Sequence, residues 1–169
     1  LNSKGNLKIF CDIFSGTAVV GEYFKKKYKI ISNDNLYFSY VLQNAKIGNN
    51  TLLSFNGLKK TGLKNPISYL NNLSTSLTKN CFIYKNYSPN LNCNRAYLSN
   101  NNAIKIDLIR SKINKWFKKK RINSHEFYSL LASLIEAIPS VSNIAGTYGA
   151  FLKNKDKRFF KKIKLEKFQ

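Results

Sequence analysis

One stretch in this sequence carries residue types and spacing suited to ligand chemistry: Asp12-Ile-Phe-Ser-Gly16-Thr-Ala18-Val-Val-Gly21. Small residues at Ser15, Gly16, Thr17 and Ala18 let a ligand approach the backbone, and a helix starting there offers unpaired N–H groups. Eighteen residues after Gly16 stands Asp34, closing an apolar run, YKIIS, with Asn33 beside it. An acid at the end of the second strand of a βαβ unit can accept hydrogen bonds from ribose hydroxyls. The combination describes a site for an adenosine-containing cofactor at the carboxyl edge of a parallel sheet. Gly16, Ala18 and Gly21 nearly spell the dinucleotide fingerprint, but Ala18 stands where the second glycine would admit a pyrophosphate. Asp12, at the mouth of the turn, repels a diphosphate and suits a cationic ligand end such as the methionine of S-adenosylmethionine. A dinucleotide, S-adenosylmethionine and a ligand-free turn all remain open on the residues alone.

Elements that could position these residues are legible on either side. Lys8–Phe14, KIFCDIF, is a short apolar run expected to be a strand buried on both faces. Val19–Lys27 places Val20, Tyr23 and Phe24 at helical spacing, Tyr28–Ser32 reads as a second strand, and Leu36–Ile47 reads as a helix with one apolar face. Strand-helix-strand-helix order makes a parallel sheet with crossover helices the economical α/β fold. From 49 to 101 the composition turns to Asn, Ser, Thr and Leu, broken by Gly57, Gly62, Pro66 and Pro89, and predicts a loop-rich insert with short helices. A helix over about 102–120 carries Ile106, Ile109, Ile113 and Phe117 in a stripe; Asn123-Ser124 caps another over about 125–138, stopped by Pro139. The expected division is therefore 1–48, 49–101 and 102–169.

Composition narrows the function classes. With 29 Lys and Arg against 8 Asp and Glu, the net charge is +21, a field whose usual partner is polyphosphate. A/T-rich codon usage also favours Lys, Asn, Ile, Tyr and Phe, so charge alone is a moderate signal. Trp116-Phe117-Lys118-Lys119-Lys120-Arg121 could contact phosphates or be a solvated last turn with cations favoured by the helix dipole. Tyr84, Tyr87, Arg95 and Tyr97 could help recognise DNA, although structural tyrosines are the plainer reading; His125 reads as a surface or capping residue. No apolar run reaches the ~18 residues of a membrane span. Cys11, Cys81 and Cys93 lack metal or disulfide spacing and read as buried thiols. The chain has no Met and begins at Leu1, which suggests either a piece of a longer protein or a lost start residue.

DIFSGTAVVGEYFKKKYKIISND, continuing NLYFSYVLQNAKIGNN, resembles the cofactor motif and acidic strand end of bacterial adenine-specific DNA methyltransferases of the Dam-like class. NYSPN, NRAYLSNNNAIKID and LLASLIEAIPSVSNIAGTYGAFLK are similar to later segments of the same group, in the same order. The resemblance implies a Rossmann-like, S-adenosylmethionine-dependent methyltransferase domain with an incomplete parallel sheet and a loop-rich, helical insert that could face DNA. It implies that Phe14, Ser15, Gly16 and Thr17 line the cofactor pocket and that Asp34 holds the ribose with Asn33 beside it, while Asp12 joins the set through its charge at the mouth of the turn. Double-stranded DNA is the implied substrate, a cognate restriction endonuclease the implied companion, and the bacterial cytoplasm the implied location. The family has glycine at the place of Ala18, whose extra methyl is expected to crowd the adenosine. Residues 1–7, LNSKGNL, would be the tail of the family's glycine- and lysine-containing segment. Its catalytic signature, Asp/Asn-Pro-Pro-Tyr, has no counterpart: Pro66, Pro89 and Pro139 are nowhere adjacent. No catalytic residue is assigned, and the chain alone is expected not to methylate DNA. Two other readings compete: a basic nucleic-acid-binding module without cofactor, which leaves the Asp12–Asp34 spacing unexplained, and a dinucleotide-dependent oxidoreductase, which Ala18 disfavours.

Overall fold

Two short strands set the frame: β1 (Ile9–Asp12) and β2 (Lys29–Ser32) pair in parallel, with Ile9 opposite Lys29 and Asp12 opposite Ser32. The computed structural model describes residues 8–76, 81–146 and 148–167; the expected glycine-lysine tail in residues 1–7 lies outside the described residues. Between the strands runs helix α1 (Val19–Phe24), and α2 (Tyr37–Lys46) follows β2, so the expected strand-helix-strand-helix order holds. Three short helices occupy the loop-rich region: α3 (Asn56–Lys59), α4 (Pro66–Asn71) and α5 (Phe82–Tyr87). Two longer ones follow, α6 (Asn100–Lys118) and α7 (Ser124–Ala137), then single 3₁₀ turns at Ile138–Val141 and Lys157–Phe160. The fold is mixed α/β, with a two-stranded parallel sheet among the described residues.

Helix α7 joins two cores. Its start is fixed by a capping box: Asn123 Oδ1 accepts from the Glu126 N–H at 2.9 Å, and Glu126 Oε2 accepts from the Asn123 N–H at 2.9 Å. Such a cap contributes about 1 kcal/mol. The other Glu126 oxygen accepts from the Phe55 N–H, tying α7 to the entry of α3. One side of α7 puts Phe127, Leu130 and Leu134 against Ile106, Ile109 and Ile113 of α6, together with Leu58, Leu70, Leu98, Ile163 and Leu165. The other side presents Ala132 to Val41, Leu42 and Ala45 of α2, with Ala18 in the same cluster. Pro139 ends the α-helical geometry, as expected, but the chain continues through it as a 3₁₀ turn.

Asparagines close the last segment onto the helices. Asn102 donates to the Lys161 carbonyl at 2.8 Å and accepts from the Ile163 N–H at 3.0 Å. Asn71 donates to the Leu165 carbonyl at 2.9 Å and accepts from the Leu165 N–H at 2.8 Å. Each side-chain amide thus replaces a strand partner for an extended backbone. Buried Lys105 donates to the Asn71 and Leu73 carbonyls at the end of α4, where the helix dipole favours a cation. Burial pushes its ammonium below the ordinary lysine range.

Several sequence expectations are corrected. β1 is not buried on both faces: Ile9, Cys11 and Ile31 share an exposed face, while Phe10 stacks on Phe24 of α1 at 4.7 Å on the other. A sheet layered by helices on one face leaves alternate side chains in solvent. Cys11 is therefore exposed, whereas Cys81 is buried. On α1 the buried residue is Gly21, and Val20 and Tyr23 face out. Trp116, not Phe117, continues the α6 stripe: Trp116 is buried, while Phe117 stacks on Phe127 at 4.4 Å and stays partly exposed.

Candidate functional site

After β1 the chain folds across the end of β2. The Asn33 N–H donates to the Asp12 carbonyl at 2.9 Å, extending the parallel ladder by one step. Both the Ser15 N–H and the Ser15 hydroxyl then donate to the Asn33 carbonyl at 3.0 Å. Ser15 is buried, and its oxygen accepts from Gln43 Nε2 at 2.6 Å; Gln43 Oε1 accepts in turn from the Ser32 hydroxyl at 3.1 Å. A closed polar chain, Ser32–Gln43–Ser15–Asn33, therefore holds the turn after β1 onto β2 and α2.

Asp34 completes the frame. Its Oδ2 accepts from the Gly16 N–H at 2.8 Å and its Oδ1 from the Leu36 N–H at 2.9 Å. The Leu36 and Gly16 amides hold this carboxyl below the usual aspartate range, so it is ionised at neutral pH. The Ser39 side chain and the Asn35 N–H lower it further. Gly16 has φ +47°, and a Cβ built on it would meet nothing within 4 Å, so open space lies in front of the turn. Phe14 is 86% exposed, and Thr17 and Asn33 are also exposed. Asn33 Nδ2 donates to the Ile13 carbonyl at 3.3 Å.

Of the residues singled out from sequence, Ser15, Gly16, Asn33 and Asp34 are joined by hydrogen bonds, and Asp12 enters through its carbonyl. Phe14 and Thr17 stand in solvent on the same turn. Ala18 lies elsewhere than expected. It adopts the left-handed conformation (φ 64°, ψ 14°), is fully buried, and packs with Val41, Leu42, Ala45 and Ala132. Its methyl points into a core, which removes the expected crowding of a ligand at the open side. Gln43 and Ser39 escaped the sequence reading; both are buried polar residues inside the apolar stripe of α2, and that misplaced polarity is the signal that marks them.

On the helical side, Lys118, Lys119, Lys120 and Arg121 are exposed, whereas the Trp116 and Phe117 rings are engaged by the protein itself. Tyr84, Tyr87 and Tyr97 pack against the helical core, with the Tyr87 and Tyr97 rings 5.9 Å apart. His125 is exposed in the first turn of α7. Among the described residues, no helix is long and apolar enough to cross a membrane.

A glycine turn between parallel strands is here bonded to the acid at the end of the second, an arrangement that can accommodate a nucleotide-type ligand. The chain matches the family model of D12 class N6 adenine-specific DNA methyltransferases over residues 2–169, and it belongs to that family. It is 51% identical over 164 residues to the type II methyltransferase M.FokI of Planomicrobium okeanokoites, covering 97% of this chain and 25% of that protein. It is 45% identical over 167 residues to modification methylase StsI of Streptococcus sanguinis, covering 99% and 25%. With the type II methyltransferase M.NlaIII of Neisseria lactamica it shares 38% identity over 160 residues, covering 94% and 45%. The chain thus spans 25% of the length of the first two of these relatives. No solved structure matches it.

Proposed function

We propose that this chain forms the cofactor-binding start and the DNA-facing helices of an adenine-specific DNA methyltransferase. The whole enzyme would transfer a methyl group from S-adenosylmethionine to the exocyclic amine of adenine in double-stranded DNA. It would act in the bacterial cytoplasm beside a cognate restriction endonuclease. Residues 1–48 would open a Rossmann-like domain, 49–101 would be the insert that approaches DNA, and 102–169 would lead toward the catalytic strand.

The observation that carries this reading is the Gly16–Asp34 hydrogen bond at the carboxyl edge of a parallel strand pair. The residues fit the cofactor in three respects. Asp34 is ionised and stands at the end of the second strand, where an acid can accept from ribose hydroxyls. Gly16 opens onto free space where any side chain would intrude. Asp12 supplies negative charge beside the turn for the ligand's cationic end. S-adenosylmethionine, when bound, brings an electrophilic methyl group; the protein's part is to hold and orient it. Ser15, tied to Gln43, would keep the turn rigid, and Phe14, Thr17 and Asn33 would border the ligand from the solvent side. The Asp/Asn-Pro-Pro-Tyr group that would face the flipped adenine is not among these 169 residues.

The test is a calorimetric titration of the chain and of Asp34→Ala against S-adenosylmethionine and NAD. S-adenosylmethionine should bind in preference to NAD, and Asp34→Ala should weaken it about ten- to hundredfold, the effect of losing a charged hydrogen-bond partner. Preference for NAD, or an Asp34→Ala variant that binds S-adenosylmethionine like the parent, would overturn the reading.

A further inference from the structure

Between α5 and α6 lies a groove of about 470 Å³, and its chemistry is unlike that of the turn at Gly16. Along α6, Arg110, Ser111, Asn114, Lys118 and Lys119 line it, with Phe82 of α5 on the opposite wall. Spacings of three and four residues place these side chains on one stripe of the helix. From Arg110 to Lys118 the stripe rises roughly 12 Å at about 1.5 Å per residue, some three to four base steps of a duplex at about 3.4 Å each. Residues 110–121 contain seven cations and no acid.

Three further observations give the groove a direction. Arg110, Lys118 and Lys119 are exposed, and among the described residues none of them enters an ion pair. Asp107 also borders the groove, but its carboxylate is spent inside the protein: Oδ1 accepts from the Ile83 N–H at 3.1 Å and Oδ2 from the Tyr84 N–H at 3.0 Å. That buried acid fixes α5 on α6 and leaves the cations uncompensated on the outside. Phe82, meanwhile, is 56% exposed, an apolar wall suited to a sugar face. Cations spaced along one helix stripe, hydrogen-bonding Ser and Asn between them and an aromatic wall together suit a repeating phosphodiester backbone.

We infer that the α5–α6 groove seats one strand of duplex DNA, with Arg110 and Lys118 on its phosphates and Asn114 and Ser111 between them. The inference rests on the DNA-methyltransferase reading and goes beyond it by naming the surface. Unlike the long-range field of a +21 chain, seated phosphates predict a local effect. Each phosphate left without its cation should lower the slope of log affinity against log salt by about 0.9, so two should lower it by about 1.8 and weaken binding about sixtyfold at 0.1 M salt.

The experiment measures fluorescence anisotropy of a labelled duplex against the chain over a salt series. Arg110→Gln/Lys118→Gln is compared with Lys26→Gln/Lys27→Gln, a pair of equal charge on the exposed turn after α1. All four residues are exposed, and melting curves should match the parent. The groove pair should lose slope and affinity as stated, while the control pair stays close to the parent. Equal losses in both pairs, or an unchanged slope in the groove pair, would overturn the groove while the parent's salt-dependent binding sustains the DNA reading. A parent chain that binds no duplex would overturn both.

Discussion

Gly16 and Ala18 sit two residues apart in one turn, both in the left-handed region, at φ 47° and φ 64°. The structure predicts opposite responses to exchanging their side chains. Gly16→Ala forces a side chain into a conformation that costs L residues roughly 1–2 kcal/mol. No steric clash adds to this, because nothing lies within 4 Å of the new Cβ. Partial compensation from a stiffer unfolded chain leaves a net loss of about 1 kcal/mol, or roughly 2–4 °C in Tm for a chain of this size. The methyl also enters the open space in front of the turn and should weaken S-adenosylmethionine binding at least about tenfold, equivalent to 1.4 kcal/mol. Ala18→Gly relieves the same backbone strain. It also removes a methyl group packed on Val41, Leu42, Ala45 and Ala132, worth about 0.8 kcal/mol, and loosens the unfolded chain by about 0.4–1 kcal/mol. The contributions nearly cancel, so its Tm should stay within a few degrees of the parent. Its affinity should be unchanged, since the methyl lies in a core. Thermal melts by circular dichroism and calorimetric titration of both variants check this. If Ala18→Gly tightens S-adenosylmethionine binding tenfold, or Gly16→Ala leaves both stability and affinity untouched, the assignment of an open side and a core side to this turn is wrong.

Two further outcomes concern the scaffold. Asn143 is fully buried and bonds to the Ala96 and Leu152 carbonyls, each at 2.9 Å, and to the Asp156 N–H at 2.9 Å; Asn143→Leu should lose about 3 kcal/mol, near 1 per bond, and a loss under ~1 kcal/mol by denaturant titration would show that water replaces the amide. Burial, followed by the neighbouring Tyr40 hydroxyl, pushes the Tyr128 phenol up to about 12. A raised folded value favours the neutral form, so its contribution to stability is present below the ordinary tyrosine range and lost as pH rises through about 12. Tyr128→Phe should delete the last component of the tyrosinate absorbance titration, and deletion of an ordinary component instead would contradict the packing.

Much of the site was legible because it is local. The strand-helix-strand-helix order and the spacing from Gly16 to Asp34 follow from apolar runs and small residues within a short stretch of chain, and Asn123 marks the start of α7; the bond that joins Gly16 to Asp34 and the Glu126 half of the cap emerge only in the fold. What escaped depends on distant partners. Trp116 and Phe117 stand three and four residues after Ile113, and helical spacing admits either; distant partners decide between them, Tyr69 at 5.7 Å from the Trp116 ring and Phe127 stacked on Phe117. The exposure of Cys11 depends on what layers the sheet. Asn71, Asn102 and Asn143 do structural work that no local pattern separates from the many solvent-facing asparagines around them.

The asparagine clamps on the last segment also set the order in which the molecule can assemble. Ile163 and Leu165 belong to the same core as Leu58 and Leu70, and Leu165 is held by Asn71 across 94 residues of chain. During synthesis the α6–α7 pair can form as a local hairpin, but the side of that core facing α4 stays open until Ile163 and Leu165 emerge. Closing so long a loop costs entropy before the packing it permits can offset it, which places docking of the Leu165 segment after the local helices and makes it slow. A chain synthesised only as far as residue 162 therefore has its helices in place and the side of the core that Ile163 and Leu165 cover still open to solvent.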